Sequence, residues 1–176
     1  MLGNNGGLIG VRRAPAPTTS LPGLWLLDEQ VTAKRAGLWP GPVGVYSQSS
    51  QYAGTTAISA AIMTDGSFAN TGVATNNNTG DDWVKIDYGY SIYITSVTIG
   101  TATSSIPGGW SKSYTENRNV QTSNDDSTWT TLFNTGTFAA NGIYTFTAPG
   151  KFAAVTARYI RVVDASYVAI SEFYAA

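Results

Sequence analysis

The sequence predicts an all-β fold, a sandwich of two packed sheets entered through an extended N-terminal arm that contains one short helix. Three observations predict it. From Val43 onward apolar and polar residues alternate at period two, punctuated by Asn, Gly and Asp turns, which is the pattern of many short strands rather than of strand–helix–strand units. Charged residues make up only 12% of the chain, against a usual share of roughly 25%, while Thr, Ser, Asn, Gly and ten tyrosines are abundant, so the polar face is built from hydroxyls and amides. Residues 1–42 differ in composition from the 43–176 segment, with Gly and Asn first, then Arg12, Arg13 and a Pro15/Pro17/Pro22 stretch.

The length of 176 residues suits one domain plus an arm. In the arm, Leu24, Leu27 and Val31 recur at helical spacing between Leu24 and Ala36, and Gly37 is a natural stop. Pro40 and Pro42 then turn the chain into the sandwich. The predicted strands are Trp83 to Tyr88, Ile92 to Gly100, Asn119 to Ser123, Trp129 to Asn134, Ile143 to Thr147, Arg158 to Val163 and Val168 to Tyr174. Within them Trp83 and Ile86 are expected to bound an edge of the core. Ile160 and Val162 are expected to point inward, with Arg161 outward.

Composition excludes several functions. The formal charge of −1 offers no basic field for nucleic acid or an anionic membrane. No run approaches the ~20 apolar residues of a membrane span. The apolar run Gly7 to Val11 precedes Arg12 and Arg13, the reverse of a secretory leader. With no cysteine there are no disulfides or thiolate metal sites, and with no histidine the commonest general base and zinc ligand are missing. Carboxylates remain as catalytic candidates, namely Asp65, Asp81, Asp82, Asp87, Asp125, Asp126, Asp164 and Glu172. Almost all sit in turns, where an Asp bonds nearby backbone amides, so no enzyme activity is expected.

In order along the chain stand Ala61-Ile-Met-Thr-Asp65-Gly66, Asp82-Trp83-Val-Lys-Ile-Asp87-Tyr-Gly89, Ile94-Thr-Ser-Val97-Thr-Ile99, Ser123-Asn-Asp125-Asp-Ser-Thr-Trp129, Arg158-Tyr159-Ile160-Arg161 and Ile170-Ser-Glu172-Phe173. This succession resembles the discoidin, or coagulation factor V/VIII type C, family. The resemblance implies a galactose-binding-like jelly-roll β-sandwich, typically a binding module, and places Trp83 and Trp129 at core positions. Many such carbohydrate modules hold a structural calcium between the Asp-Gly loop and the glutamate of the last strand. That implies calcium at Asp65, Asn70, Thr71 and Glu172, with a hydrogen-bonded Asp-Gly turn as the alternative; the chain departs from the family's acidic, Thr and Trp pattern in that loop.

The resemblance also places a ligand site in the loops at one end of the sandwich. The best local candidate is Thr101 to Arg118, with Trp110, Tyr114, Asn117 and Arg118 as an aromatic face flanked by amide and guanidinium donors for a saccharide. The alternatives are that Trp110 folds back to close its loop or packs on a neighbouring subunit.

The arm, with Leu8, Ile9, Trp25, Leu27 and Trp39, is too apolar to stay solvated and must pack on its own sandwich or on a partner. Its sequence is similar to the start of phage structural proteins. That likeness implies a structural protein on the virion surface of a tailed phage, contacting capsid or tail proteins through the arm and forming a symmetric homo-oligomer. The alternative is a carbohydrate-binding module or adhesin for host surface glycans.

Overall fold

The computed structural model describes residues 44–68, 72–76 and 80–176, all within the second of two units, Gly41–Ala176. The helix expected at Leu24 to Ala36 and the anchor residues Leu8, Ile9, Trp25, Leu27 and Trp39 lie outside the described residues, as do Asn70 and Thr71 of the expected metal loop.

Among the described residues nine strands build two antiparallel sheets. One has the order β1 (Val45–Gln48), β3 (Asp82–Ile94), β8 (Val155–Asp164), β5 (Asn119–Ser123) and β6 (Thr130–Asn134). The other has the order β2 (Val73–Ala74), β9 (Ala169–Ala175), β4 (Ser96–Thr101) and β7 (Ile143–Thr147). A single helical turn, α1 (Ala60–Met63), is capped by the Ser59 side chain, which accepts from the Ile62 N–H. The all-β jelly-roll sandwich expected from the sequence is the architecture observed.

Period two sorts the side chains between core and solvent. Val84, Ile86 and Tyr88 of β3 meet Ile160 and Val162 of β8 and Val120 of β5 in the core. Ile94, Val97, Ile99, Ile170 and Phe173 close it from the β3 end and the second sheet. Half-buried Tyr46 and buried Tyr88 tie the sheets together, since the Tyr46 hydroxyl donates to Phe173 O at 2.7 Å and the Tyr88 hydroxyl accepts the Ala175 N–H at 2.9 Å. Burial raises the pKa of both phenols, that of Tyr88 to about 12.

The same periodicity moves the tryptophans. Trp83 lies three residues from Ile86, so it stands on the opposite, outer face rather than at the edge of the core. There the Lys85 ammonium sits 4.8 Å from its ring centre. Trp129 also lies outside, with the Arg161 guanidinium 4.1 Å from its ring centre and Arg161 Nε donating to Gln121. Asp125 aims Trp129 by folding the β5–β6 turn: its carboxylate accepts the N–H groups of Ser127 and Thr128. Those bonds hold its pKa well below the usual carboxylate range.

The expected strand Ile92 to Gly100 is two strands. The chain leaves one sheet at Ile94 and enters the other at Ser96, and both Thr95 and Ser96 donate N–H groups to Ala176 O, at 2.6 and 2.7 Å. In β4, Gly100 makes room for the last strand. A Cβ there would lie 2.8 Å from both Cβ and N of Glu172 and would strike Ser171 Oγ. Gly100→Ala is therefore expected to cost about 1–3 kcal/mol, read as a lower urea midpoint with unchanged slope.

Candidate functional site

At one end of the sandwich the loops after β1, after β4 and between β8 and β9 converge on a cluster of four rings. Trp110 is its centre. Tyr52, Tyr114 and Tyr167 contact it edge-on, with ring centres at 4.9, 4.7 and 5.3 Å. Beneath the rings lie Ala74, Ala102, Ile106 and Ala169, a small apolar floor separate from the main core.

Backbone chemistry sets each ring in place. The Trp110 indole N–H donates to Pro107 O at 2.8 Å, which closes the Ile106-Pro-Gly-Gly-Trp110 turn. Gly108 adopts φ +115°, and a Cβ there would meet Trp110 Nε1 at 2.6 Å and Tyr52 Cε1 at 2.9 Å, so only glycine fits. Tyr52 is held by its own N–H to Ala74 O, and Tyr114 belongs to the 3-10 turn Lys112–Tyr114. Thr115 anchors that turn, donating its hydroxyl to Ala169 O and accepting the Ala102 N–H.

Arg118 couples two of the loops. Its Nε donates to Tyr114 O at 3.1 Å and its guanidinium pairs with Asp164, three residues before Tyr167. Burial lowers the guanidinium pKa, and the Asp164 carboxylate opposes that shift. Arg118 is thus a clamp between ring-bearing loops.

The sequence-derived residues divide accordingly. Trp110, Tyr114 and Arg118 lie together. Trp110, however, is only 4% exposed and offers no open stacking face; it folds back to close its loop. Asn117 is exposed in a turn at φ 58°, a left-handed conformation that asparagine tolerates. Tyr52 and Tyr167 escaped the sequence reading, although each is an aromatic residue in a polar turn just beyond a strand. The hydroxyls of Tyr52, Tyr114 and Tyr167 have no hydrogen-bond partner among the described residues, and the three residues are partly buried.

The expected calcium ligands Asp65 and Glu172 also meet. The Ser67 N–H donates to both, at 2.7 Å to Asp65 Oδ1 and 3.1 Å to Glu172 Oε1. Glu172 is fully buried, and its Oε2 accepts no hydrogen bond from the described residues. Burial, followed by the Asp65 carboxyl beside it, pushes the Glu172 pKa up to about 7. Two convergent carboxyl groups, one with an orphaned buried oxygen, fit a hard cation such as calcium. Among the described residues no cluster of three or more acidic or other metal-binding side chains forms, so hydroxyls, backbone carbonyls or water would complete the shell.

Two other candidate carboxylates are engaged in structure. Asp87 forms a two-pronged pair with Arg158, at 2.8 and 2.9 Å, and Asp126 pairs with Lys85 at 2.6 Å.

A family model described as the F5/8 type C domain matches residues 45–173. The chain belongs to that family. The F5/8 type C fold is also found in solved structures of low identity. A fucolectin from the serum of striped bass, Morone saxatilis, is 16% identical at a TM-score of 0.60, over 76% of this chain and 46% of that one. This chain therefore spans less than half of that lectin. A module from Clostridium perfringens, solved in complex with GalNAc-β-1,3-galactose, is 15% identical at a TM-score of 0.55, over 75% and 94% of the two chains. A fucose-binding module from Streptococcus pneumoniae is 11% identical at a TM-score of 0.55, over 76% and 93%. No curated protein sequence matches the F5/8 type C chain.

Proposed function

We propose that this F5/8 type C domain is a non-catalytic carbohydrate-binding module whose site is the loop end bearing Tyr52, Tyr114 and Tyr167. The observation that carries the reading is the set of three phenol hydroxyls without hydrogen-bond partners among the described residues, on rings fixed in place around a buried indole. Such groups both donate to and accept from sugar hydroxyls, while ring edges and faces meet sugar C–H groups. The rings are held before any ligand arrives, which lowers the ordering cost of binding. The fucose and galactoside ligands of the similar modules point to the same ligand class. They favour this reading over the virion-structural role, whose anchor residues lie outside the described ones.

Asp65 and Glu172 would hold a calcium ion. When bound, that ion would neutralise two adjacent carboxylates and brace the Asp-Gly loop against the last strand. The chain's own residues carry recognition: Arg118 positions the Tyr114 and Tyr167 loops, and Trp110 supports all three tyrosines.

A glycan array probed with the intact chain tests the proposal. Wild type is expected to bind a subset of neutral glycans, and Tyr52→Ala with Tyr167→Ala is expected to weaken them by about tenfold or more, a loss of roughly 1.4 kcal/mol, with an unchanged circular dichroism spectrum. An array with no bound glycan would overturn it, as would equal binding by the double variant.

A further inference from the structure

Strand β3 carries an irregularity in its pairing with β8. Pairing with β8 runs in register to Asp87 opposite Tyr159 and resumes at Ile92 opposite Ala157, so Tyr88 to Ser91 all stand against Arg158 alone. The local sequence explains the bulge. The Gly89 N–H donates to Asp87 Oδ1 at 2.7 Å, and Gly89 sits at φ 75°, which admits the sharp turn. Tyr88 goes inward to the core. Tyr90 and, just beyond the bulge, Tyr93 go outward, 62% and 66% exposed. Bulges often re-aim side chains at functional surfaces.

An open pocket of about 330 Å³ lies between the β5–β6 turn and the start of β8, the stretch that pairs with the end of β3. That volume lies near the lower bound of small-ligand sites, roughly 300–1,000 Å³. Hydroxyl and amide groups of Ser123, Asn124, Thr128 and Thr156 line it, and Leu132 and Val155 contribute apolar surface. Two contacts join this part of β3 to the pocket. Tyr93 is the direct cross-strand partner of Thr156, and Ser91 Oγ bonds Asn124 Oδ1 at 3.1 Å. Asn124 is held further by the Arg158 N–H at 3.1 Å.

We infer that this end of the sandwich is a second saccharide site, with Tyr93 as the stacking ring and the Asn124 amide N–H and the Thr156 hydroxyl as hydrogen-bonding groups, selective for neutral hexoses. The pocket lies where β3 ends and β8 begins, whereas Tyr167 follows the end of β8, so the two sites occupy opposite ends of the sandwich. Selectivity follows from charge. The nearby cation Arg158 is paired with Asp87, while Asp125 is among the pocket's lining residues and none of them is cationic, so a uronate would meet repulsion. Hydroxyls and amides serve as donors and acceptors alike, which suits a neutral polyol. The ligand class is that of the loop-end site, but the inference does not rest on that reading.

Titration of the ¹⁵N-labelled intact chain with galactose, glucose, mannose and galacturonate, followed by amide shifts, tests it. At least one neutral hexose is expected to move the Asn124 and Thr156 amides, and galacturonate is expected to leave them in place. Tyr93→Ala is expected to weaken that response by about tenfold. Tyr93→Phe is expected to retain it, because stacking does not need the hydroxyl. Tyr93 is exposed, so neither variant threatens the fold. Tyr52→Ala with Tyr167→Ala should abolish responses at the loop end and leave Asn124 and Thr156 unaffected, which separates failure of one site from failure of the other. Still Asn124 and Thr156 amides with every neutral hexose, or an undiminished response in Tyr93→Ala, would overturn the inference.

Discussion

With chelator present, the thermal midpoint is expected to fall by roughly 10 °C as the pH rises from about 5 to about 7.5. Glu172 is the cause. The unfolded chain releases this proton near the ordinary value of 4.5, whereas the folded chain holds it to about 7. Between those values the folded state binds more protons than the unfolded one, so stability drops as pH rises through the window. A shift of this size corresponds to something on the order of 3 kcal/mol. Asp87 and Asp125 have depressed values, so their contributions disappear only at lower pH and do not mask the effect. Glu172→Gln should remove the slope and be the more stable form at pH 7.5 in chelator. Calcium added to wild type at that pH should restore the midpoint, because an ion between Asp65 and Glu172 supplies the charge that the proton otherwise supplies. A wild-type profile as flat as that of Glu172→Gln would refute the burial argument, and a midpoint indifferent to calcium would remove the ion from the site.

Trp110→Ala is expected to lose about 3–5 kcal/mol, the usual cost of deleting a buried indole, measured as a lower denaturant midpoint. Three tyrosine contacts and the bond to Pro107 O go with it. Glycan binding should vanish in this variant because the rings around it lose their support. Trp110→Phe separates the two effects: it keeps much of the apolar contact, loses the N–H donor, and is expected to cost less while retaining detectable binding. A Trp110→Ala protein as stable as wild type would mean that the indole is not the centre of the cluster.

The candidate-site residues were legible only in part. Trp110, Tyr114 and Arg118 lie within nine positions of one another, so a local reading could group them. Tyr52 and Tyr167 are far away in the chain, and nothing local distinguishes an aromatic side chain at a turn from one in a ligand site. Burial was also hidden. A tryptophan after Pro-Gly-Gly is equally compatible with an exposed platform and a loop closed over its ring; the hydrogen bond to Pro107 O and the van der Waals limits at Gly108 decide it. For Asp65 and Glu172 the family pattern implied proximity, but the raised affinity of Glu172 for a proton comes from desolvation, which exists only once the sheets have closed.

The jelly-roll sandwich was determined by the sequence itself, because side chains on a strand alternate with period two and a half-apolar strand must bury one face. That rule placed Ile160, Val162 and Arg161 correctly, and applied consistently it also puts Trp83 outside. Tertiary structure decided what period two does not encode. It set where one apolar run changes sheets at Thr95, how four residues of β3 bulge against Arg158, and which distant rings meet at the loop end. Those outcomes depend on contacts between segments remote in sequence, where steric fit and hydrogen-bond satisfaction select the arrangement.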